Sequence, residues 1–137
     1  MLVQPYLNFD GRCEEALEFY RSALGAEVTM LTRFQDIPEP PAPGMVPAGS
    51  EKKVMHASFR IGDSTVLASD SHCGGRPSFQ GISLSLTVRD EAEAKRRFAS
   101  LADGGKVQMP LAKTFFSPSF GMLADRFGVS WMVYVAP

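Results

Sequence analysis

Histidine and cysteine are scarce in this chain: its 137 residues include only His56, His72, Cys13 and Cys73. So few cysteines argue against a disulfide scaffold and against a cysteine-rich zinc module. Long apolar runs are also missing. The longest span a few residues, well short of the ~20 that a membrane-crossing helix needs. The opening MLVQPYLNFD has no basic stretch followed by an apolar one, so no signal peptide is expected, and the expected location is cytoplasmic. Neither sign of charge dominates. Fourteen basic and fifteen acidic residues give a formal net charge of −1, which argues against nucleic acid as a partner. The densest basic stretch, Lys95-Arg96-Arg97, falls inside a helical pattern and reads as a solvated face. What is present is ordinary for a globular protein: 45% hydrophobic and 21% charged residues. The length fits one domain over residues 1–137, which buries roughly two thirds of its unfolded surface.

Periodicity divides the chain. Residues 2–9 alternate as a strand, with Tyr6 and Asn8 on one side and Leu7 and Phe9 on the other. Residues 12–24 carry Cys13, Ala16, Leu17, Tyr20 and Leu24 at helical spacing, and Gly25 stands where a left-handed residue commonly ends a helix. A strand is expected over 27–35. Five prolines between Pro38 and Pro47 then make a loop over 36–50, long enough to cap a cavity or reach another subunit. Residues 53–61 and 64–70 read as a hairpin about Gly62-Asp63. After a linker at 71–80 the order returns: a strand at 82–88, a helix at 91–102 opened by Asp90 and Glu93, and strands at 106–109, 119–124 and 129–135. The fold class expected is α+β: two βαβββ units, 1–70 and 81–137, each with one helix on one face of its sheet.

The motifs PYLNF at 5–9, EEALEFYRSALGAE at 14–27, VMHASFRIGD at 54–63, LASD at 67–70 and DRFGVSWMVYV at 125–135 resemble the vicinal oxygen chelate superfamily. That superfamily includes glyoxalase I, bleomycin resistance proteins and extradiol dioxygenases. The similarity is to its PhnB-like branch, which shares a family label with a 3-demethylubiquinone methyltransferase group. The resemblance implies two units forming a curled mixed sheet with helices outside and a ligand cavity within. It also implies a homodimer, often with exchanged units. In metal-dependent members, four His or Glu side chains hold one divalent ion, whose open positions accept substrate oxygens. Carried over one at a time, those positions fall on Gln4, Asp70, Ser83 and Met132. Serine and methionine are poor ligands for such a cation, so no metal and no cofactor is expected. A glyoxalase I-type isomerase or an iron oxygenase is therefore disfavoured. No glycine-rich strand–turn–helix loop for a methyl donor is evident either, so methyl transfer is disfavoured.

Alternation places Gln4, Tyr6, Asn8, His56, Ser58, Arg60, Ser83, Ser85, Thr87, Ser130, Met132 and Tyr134 on the cavity faces. Leu7, Phe9, Met55, Phe59, Ile61, Ile82, Leu84, Leu86, Val88, Trp131 and Val133 fall on the faces under the helices. Such polar faces suit a small polar ligand, although a sheet wetted on one side shows the same alternation without one. His56 is the candidate acid or base, because histidine titrates near neutrality. Tyr6, Asn8, Ser58, Arg60, Asp70, Ser83 and Met132 are the candidate ligand-binding residues. The hairpin leaves two registers open. A two-residue turn sets His56 opposite Ser69; a three-residue turn sets it opposite Asp70. Asp70, His72 and Cys73 form a D-S-H-C loop whose adjacency alone defines no chemistry. Phe115, Phe116 and Phe120 are either an aromatic lid or strand and interface residues. Two functions follow: a metal-independent small-molecule-binding protein, or an isomerase, lyase or oxygenase acting on a small polar metabolite with His56 as acid/base or weak metal ligand.

Overall fold

The computed structural model describes residues 1–38, 49–71 and 76–137. Most of the proline-rich loop, together with His72 and Cys73, lies outside the described residues. The chain forms two compact units, Met1–Pro77 and Ser78–Pro137.

In the first unit the order is β1 (Tyr6–Asn8), α1 (Cys13–Leu24), β2 (Glu27–Arg33), a 3-10 turn (Phe34–Asp36), β3 (Val54–Ile61) and β4 (Ser64–Ser69). Its sheet runs β1-β4-β3-β2, with β1 parallel to β4 and the other pairs antiparallel. The second unit repeats this with β5 (Leu84–Val88), α2 (Glu91–Ala102), β6 (Lys106–Ala112), β7 (Phe120–Ala124) and β8 (Ser130–Val135), in the order β5-β8-β7-β6. Each first strand pairs in parallel with the last strand of its own unit. A helix must cross over to make that pairing, which is why helix follows first strand in both halves.

Helix α1 buries the stripe read from its spacing, Cys13, Ala16, Leu17, Tyr20 and Leu24, plus Ala23. Tyr20 lies flat on Phe59 of β3, with ring centroids 5.7 Å apart and planes 15° apart. Gly25, at φ 68°, ends the helix, and its N–H donates to the Arg21 carbonyl. Helix α2 starts with the Asp90 carboxylate accepting from the Glu93 N–H at 2.8 Å and buries Ala94, Phe98 and Leu101. Phe98 presses on β7 at Gly121, where a Cβ would lie 2.7 Å from the Phe98 ring, so only glycine fits.

Three strand expectations are corrected. The first strand starts at Tyr6, not residue 2, because Pro5 has no N–H to offer the ladder. Strand β5 starts at Leu84, leaving Ile82 at 70% exposure rather than under a helix. Strand β6 continues to Ala112 through Pro110, which an edge strand with broken register tolerates. Among the described residues no helix is long and apolar enough to cross a membrane.

Candidate functional site

The hairpin between β3 and β4 closes with two residues, since Ile61 pairs with Ser64. That register carries to Ala57 opposite Ala68. Beyond it, the Asp70 N–H donates to the Val54 carbonyl at 2.8 Å, so Met55 and His56 together face Ser69. The other neighbour shows the same extra residue: Thr32 pairs with His56, and Arg33 with Val54. This is a β-bulge at Met55, and it reverses the facing of what precedes it. Val54 turns into the core at 1% exposure, while His56 stays half-buried on the opposite, polar face.

The two-residue hairpin register, which holds as far as Ala57, decides which candidates meet. Tyr6 pairs with Leu67 and Asn8 with Ser69, so β1 and β4 bring their alternate residues to the face of His56. The Tyr6 hydroxyl lies 3.1 Å from His56 Nδ1, and the two rings tilt at 34° with centroids 5.6 Å apart. Ser69 Oγ lies 3.2 Å from Asn8 Oδ1 and 2.7 Å from Ser71 Oγ, and the Ser71 N–H donates to Ser69 Oγ at 3.1 Å. Ser58 shares the row of Leu67. Arg60 belongs to the same face but is exposed, pairs with Glu27 at 3.5 Å and sits four residues along β3, about 13 Å from His56. Ser71 escaped the sequence reading, and Ser69 entered it only as the partner of His56 in the two-residue register. Nothing in the residue order marks Ser71.

Asp70 lies on the other face, 7% exposed. Its Oδ1 accepts from the N–H groups of Gly11 at 2.6 Å and Cys13 at 2.9 Å, and its Oδ2 from that of Val54 at 3.0 Å. Helix α1 has no cap of its own, since the Arg12 side chain at the N-cap pairs with Glu15 and makes no capping bond. A carboxylate from the end of β4 therefore caps it. The His56–carboxylate pair of the three-residue register does not form.

Buried under Asp70, Cys13 keeps its proton. Burial pushes its thiol from about 9 up to about 12, and the negative charges of Asp70 and Glu14 add to the shift. An unfolded cysteine ionises first, so this residue leaves stability unchanged below pH 9 and lowers it between about 9 and about 12. The expected slope is about 1.4 kcal/mol per pH unit. Urea titrations from pH 8 to 11 should show that slope lessened in Cys13→Ala. An equal slope in both proteins would refute the assignment.

In the second unit Met132 sits mid-strand between Ser85 of β5 and Met122 of β7, half-buried. Ser83 precedes β5. Phe115 and Phe116 lie in the loop before β7. Phe116 stacks on Tyr134 at 6.4 Å and meets Phe120 edge-on at 5.1 Å, while Phe115 is fully exposed. Asp125 is also buried, its Oδ1 accepting from the N–H groups of Phe127 and Val129 and its Oδ2 from the Trp131 indole N–H, at 2.9–3.0 Å.

Asp70 has both oxygens committed to backbone N–H groups and faces away from Tyr6 and His56. The amide of Gln4, the hydroxyl of Ser83 and the thioether of Met132 remain, and this donor set does not fit a four-ligand divalent site. Among the described residues no three His, Cys, Asp or Glu side chains come together as ligands.

Two βαβββ units, each with a helix on one face of a four-stranded mixed sheet and a polar opposite face, define the glyoxalase/bleomycin resistance fold. A domain of that type from Frankia sp. EAN1pec shares the fold at a TM-score of 0.66 and 12% identity, over 98% of this chain and 94% of that one. Residues 2–134 match the family described as 3-demethylubiquinone-9 3-methyltransferase, and the chain belongs to that family, the PhnB-like branch of the vicinal oxygen chelate superfamily. Protein PA1353 of Pseudomonas aeruginosa is similar at 43% identity and a TM-score of 0.86, over 99% of this chain and 98% of that one. A Bacillus cereus PhnB protein named for the same methyltransferase is 30% identical with a TM-score of 0.80, over 99% of this chain and all of that one. Protein YjdN of Escherichia coli K12 is 35% identical over 98% of this chain and 95% of its own length.

Proposed function

We propose that this protein binds a small polar molecule on the face of β1, β3 and β4, without the four-ligand ion of metal-dependent superfamily members. The observation that carries the reading is the 3.1 Å contact between an exposed Tyr6 and a half-buried His56 on the polar sheet face. Beside it lies the Asn8, Ser69 and Ser71 network. A face meant only for solvent has no need of such a network, and pockets typically combine apolar walls with a few fixed polar groups. Leu67 supplies apolar surface beside Tyr6 in this one.

Calorimetry against a metabolite panel that includes a methyl-donor cofactor tests this. At least one compound should bind, and His56→Ala with Tyr6→Phe should weaken it tenfold or more. A tightly held divalent ion at one per chain, lost in His56→Ala, would sink the metal-free reading. The same Tyr6–His56 bond favours a second reading, an enzyme in which the imidazole moves a proton. Turnover of a panel compound, abolished in His56→Gln with binding retained, would select it.

A homodimer belongs to the proposal as well. Edge strand β2 leaves Val28 and Met30 at 38% and 44% exposure, and edge strand β6 leaves Val107 and Met109 at 48% and 45%. Exposed apolar edges are commonly covered by another chain. Light scattering at the mass of one chain would count against it.

A further inference from the structure

The hydrogen-bond inventory of the polar face points to a ligand chemistry. Asn8 Oδ1 carries no proton, so the hydroxyl of Ser69 must donate to it across 3.2 Å. Ser69 has one proton, so the 2.7 Å contact with Ser71 Oγ takes its proton from Ser71. The Ser71 N–H also donates to Ser69 Oγ. With Asn8 Oδ1 placed against Ser69, the bonds run from Ser71 to Ser69 to Asn8, and the amide N–H2 is turned away from Ser69. The two N–H groups of Asn8 Nδ2 have no partner among the described residues. Ser69 is fully buried, so the lock is anchored in the sheet while Asn8 stays half-buried at its surface.

The Tyr6–His56 pair spans β4, with Tyr6 on the strand of Asn8 and His56 on β3. If the tyrosine donates to Nδ1, His56 keeps an Nε2–H. If Nδ1–H donates to the phenol oxygen, Tyr6 keeps its O–H. Either tautomer leaves this pair one donor and balances it with acceptor capacity. The surplus of donors thus resides on Asn8. Among the described residues no cation shares this row: Arg60, on the same face, is four residues from His56 and engaged by Glu27.

We propose that Asn8 is the specificity-determining residue of this site, and that it receives a C=O oxygen of the ligand by hydrogen bonding without ion pairing. This rests on the reading that the face binds a small molecule. The shared chemistry is the acceptor oxygen, carried by either a neutral carbonyl or a carboxylate.

The test uses benzamide, benzoate and benzylamine as matched probes, followed by 15N–1H NMR of the whole chain at millimolar concentration. Benzamide or benzoate should move the Asn8 side-chain N–H2 resonances, and benzylamine should not. Which of the first two binds more tightly separates the neutral source from the anionic one. Asn8→Asp keeps the acceptor for Ser69 and replaces the donors with an acceptor, so binding should weaken at least tenfold. Asn8→Ala should do the same if the aspartate disturbs the fold. Equal binding of benzylamine, or unchanged binding in both variants, would overturn the inference and leave the site standing. No response of Tyr6, Asn8 or His56 to any probe would overturn the site itself.

Discussion

Asp125→Ala is expected to lose roughly 4 kcal/mol of stability, the sum of a broken buried carboxylate and three stranded donors. The carboxylate is 3% exposed and accepts from Phe127, Val129 and the Trp131 indole. Two of those bonds close the turn between β7 and β8, and the third ties the turn to the middle of the sheet. Hydrogen bonds to a charged acceptor contribute about 1.5–3 kcal/mol each, but groups that act as a unit do not add in full. Against a total of about 5–15 kcal/mol, such a loss would leave a protein at the low end of that range with about 1 kcal/mol of stability. Trp131 is the one tryptophan of the chain, so its emission reports the site directly. Denaturant unfolding followed at that residue checks the prediction. A loss under 1 kcal/mol would show that the turn is held by something else. Asp125→Asn should fall between, because the amide keeps one acceptor but sets an N–H2 against a donor.

The second large effect is at Asp70. Removing its carboxylate in Asp70→Ala leaves the Gly11, Cys13 and Val54 N–H groups without their acceptor. It also removes the only side-chain cap that α1 is seen to have. The cap contributes about 1 kcal/mol, and a negative charge at a helix N-terminus adds up to about 1 more. With the stranded Val54 donor the expected loss is about 3–4 kcal/mol. A further consequence is local. Asp70 grips the residue just before the Met55 bulge, and that bulge adjoins His56 in β3. The variant should therefore weaken ligand binding even under conditions where it remains folded. Thermal unfolding and calorimetry on the same preparation measure both. Full affinity in a folded Asp70→Ala protein would separate the carboxylate from the site.

Much of the architecture was legible because it rests on local rules. Helix α2 forms over the expected residues, since Asp90 caps it from within its own sequence and Ala94, Phe98 and Leu101 mark its buried side. Strands β7 and β8 alternate cleanly, and Leu123, Trp131 and Val133 are buried as their period requires. Polar Tyr6, Asn8, His56 and Ser58 likewise share a face. Asp70 was misread as a ligand-facing residue because its chemistry suggested a site, while the acceptor role it fills serves donors far away in sequence.

The sequence by itself determined the repeat of strand, helix and three strands, the buried face of each element, and the poverty of metal-binding side chains. Those follow from periods of 2 and 3.6 and from composition, which need no knowledge of partners. Only the tertiary structure decided that His56 stands against Ser69 while Asp70 turns inward. The physical reason is that one residue more in the turn would slip the register and exchange the faces, and only the folded pairing of Ile61 with Ser64 sets the turn's length, while the donors that hold Asp70 inward are remote in the chain. Asp70 reaches Val54 across 16 residues and Gly11 across 59.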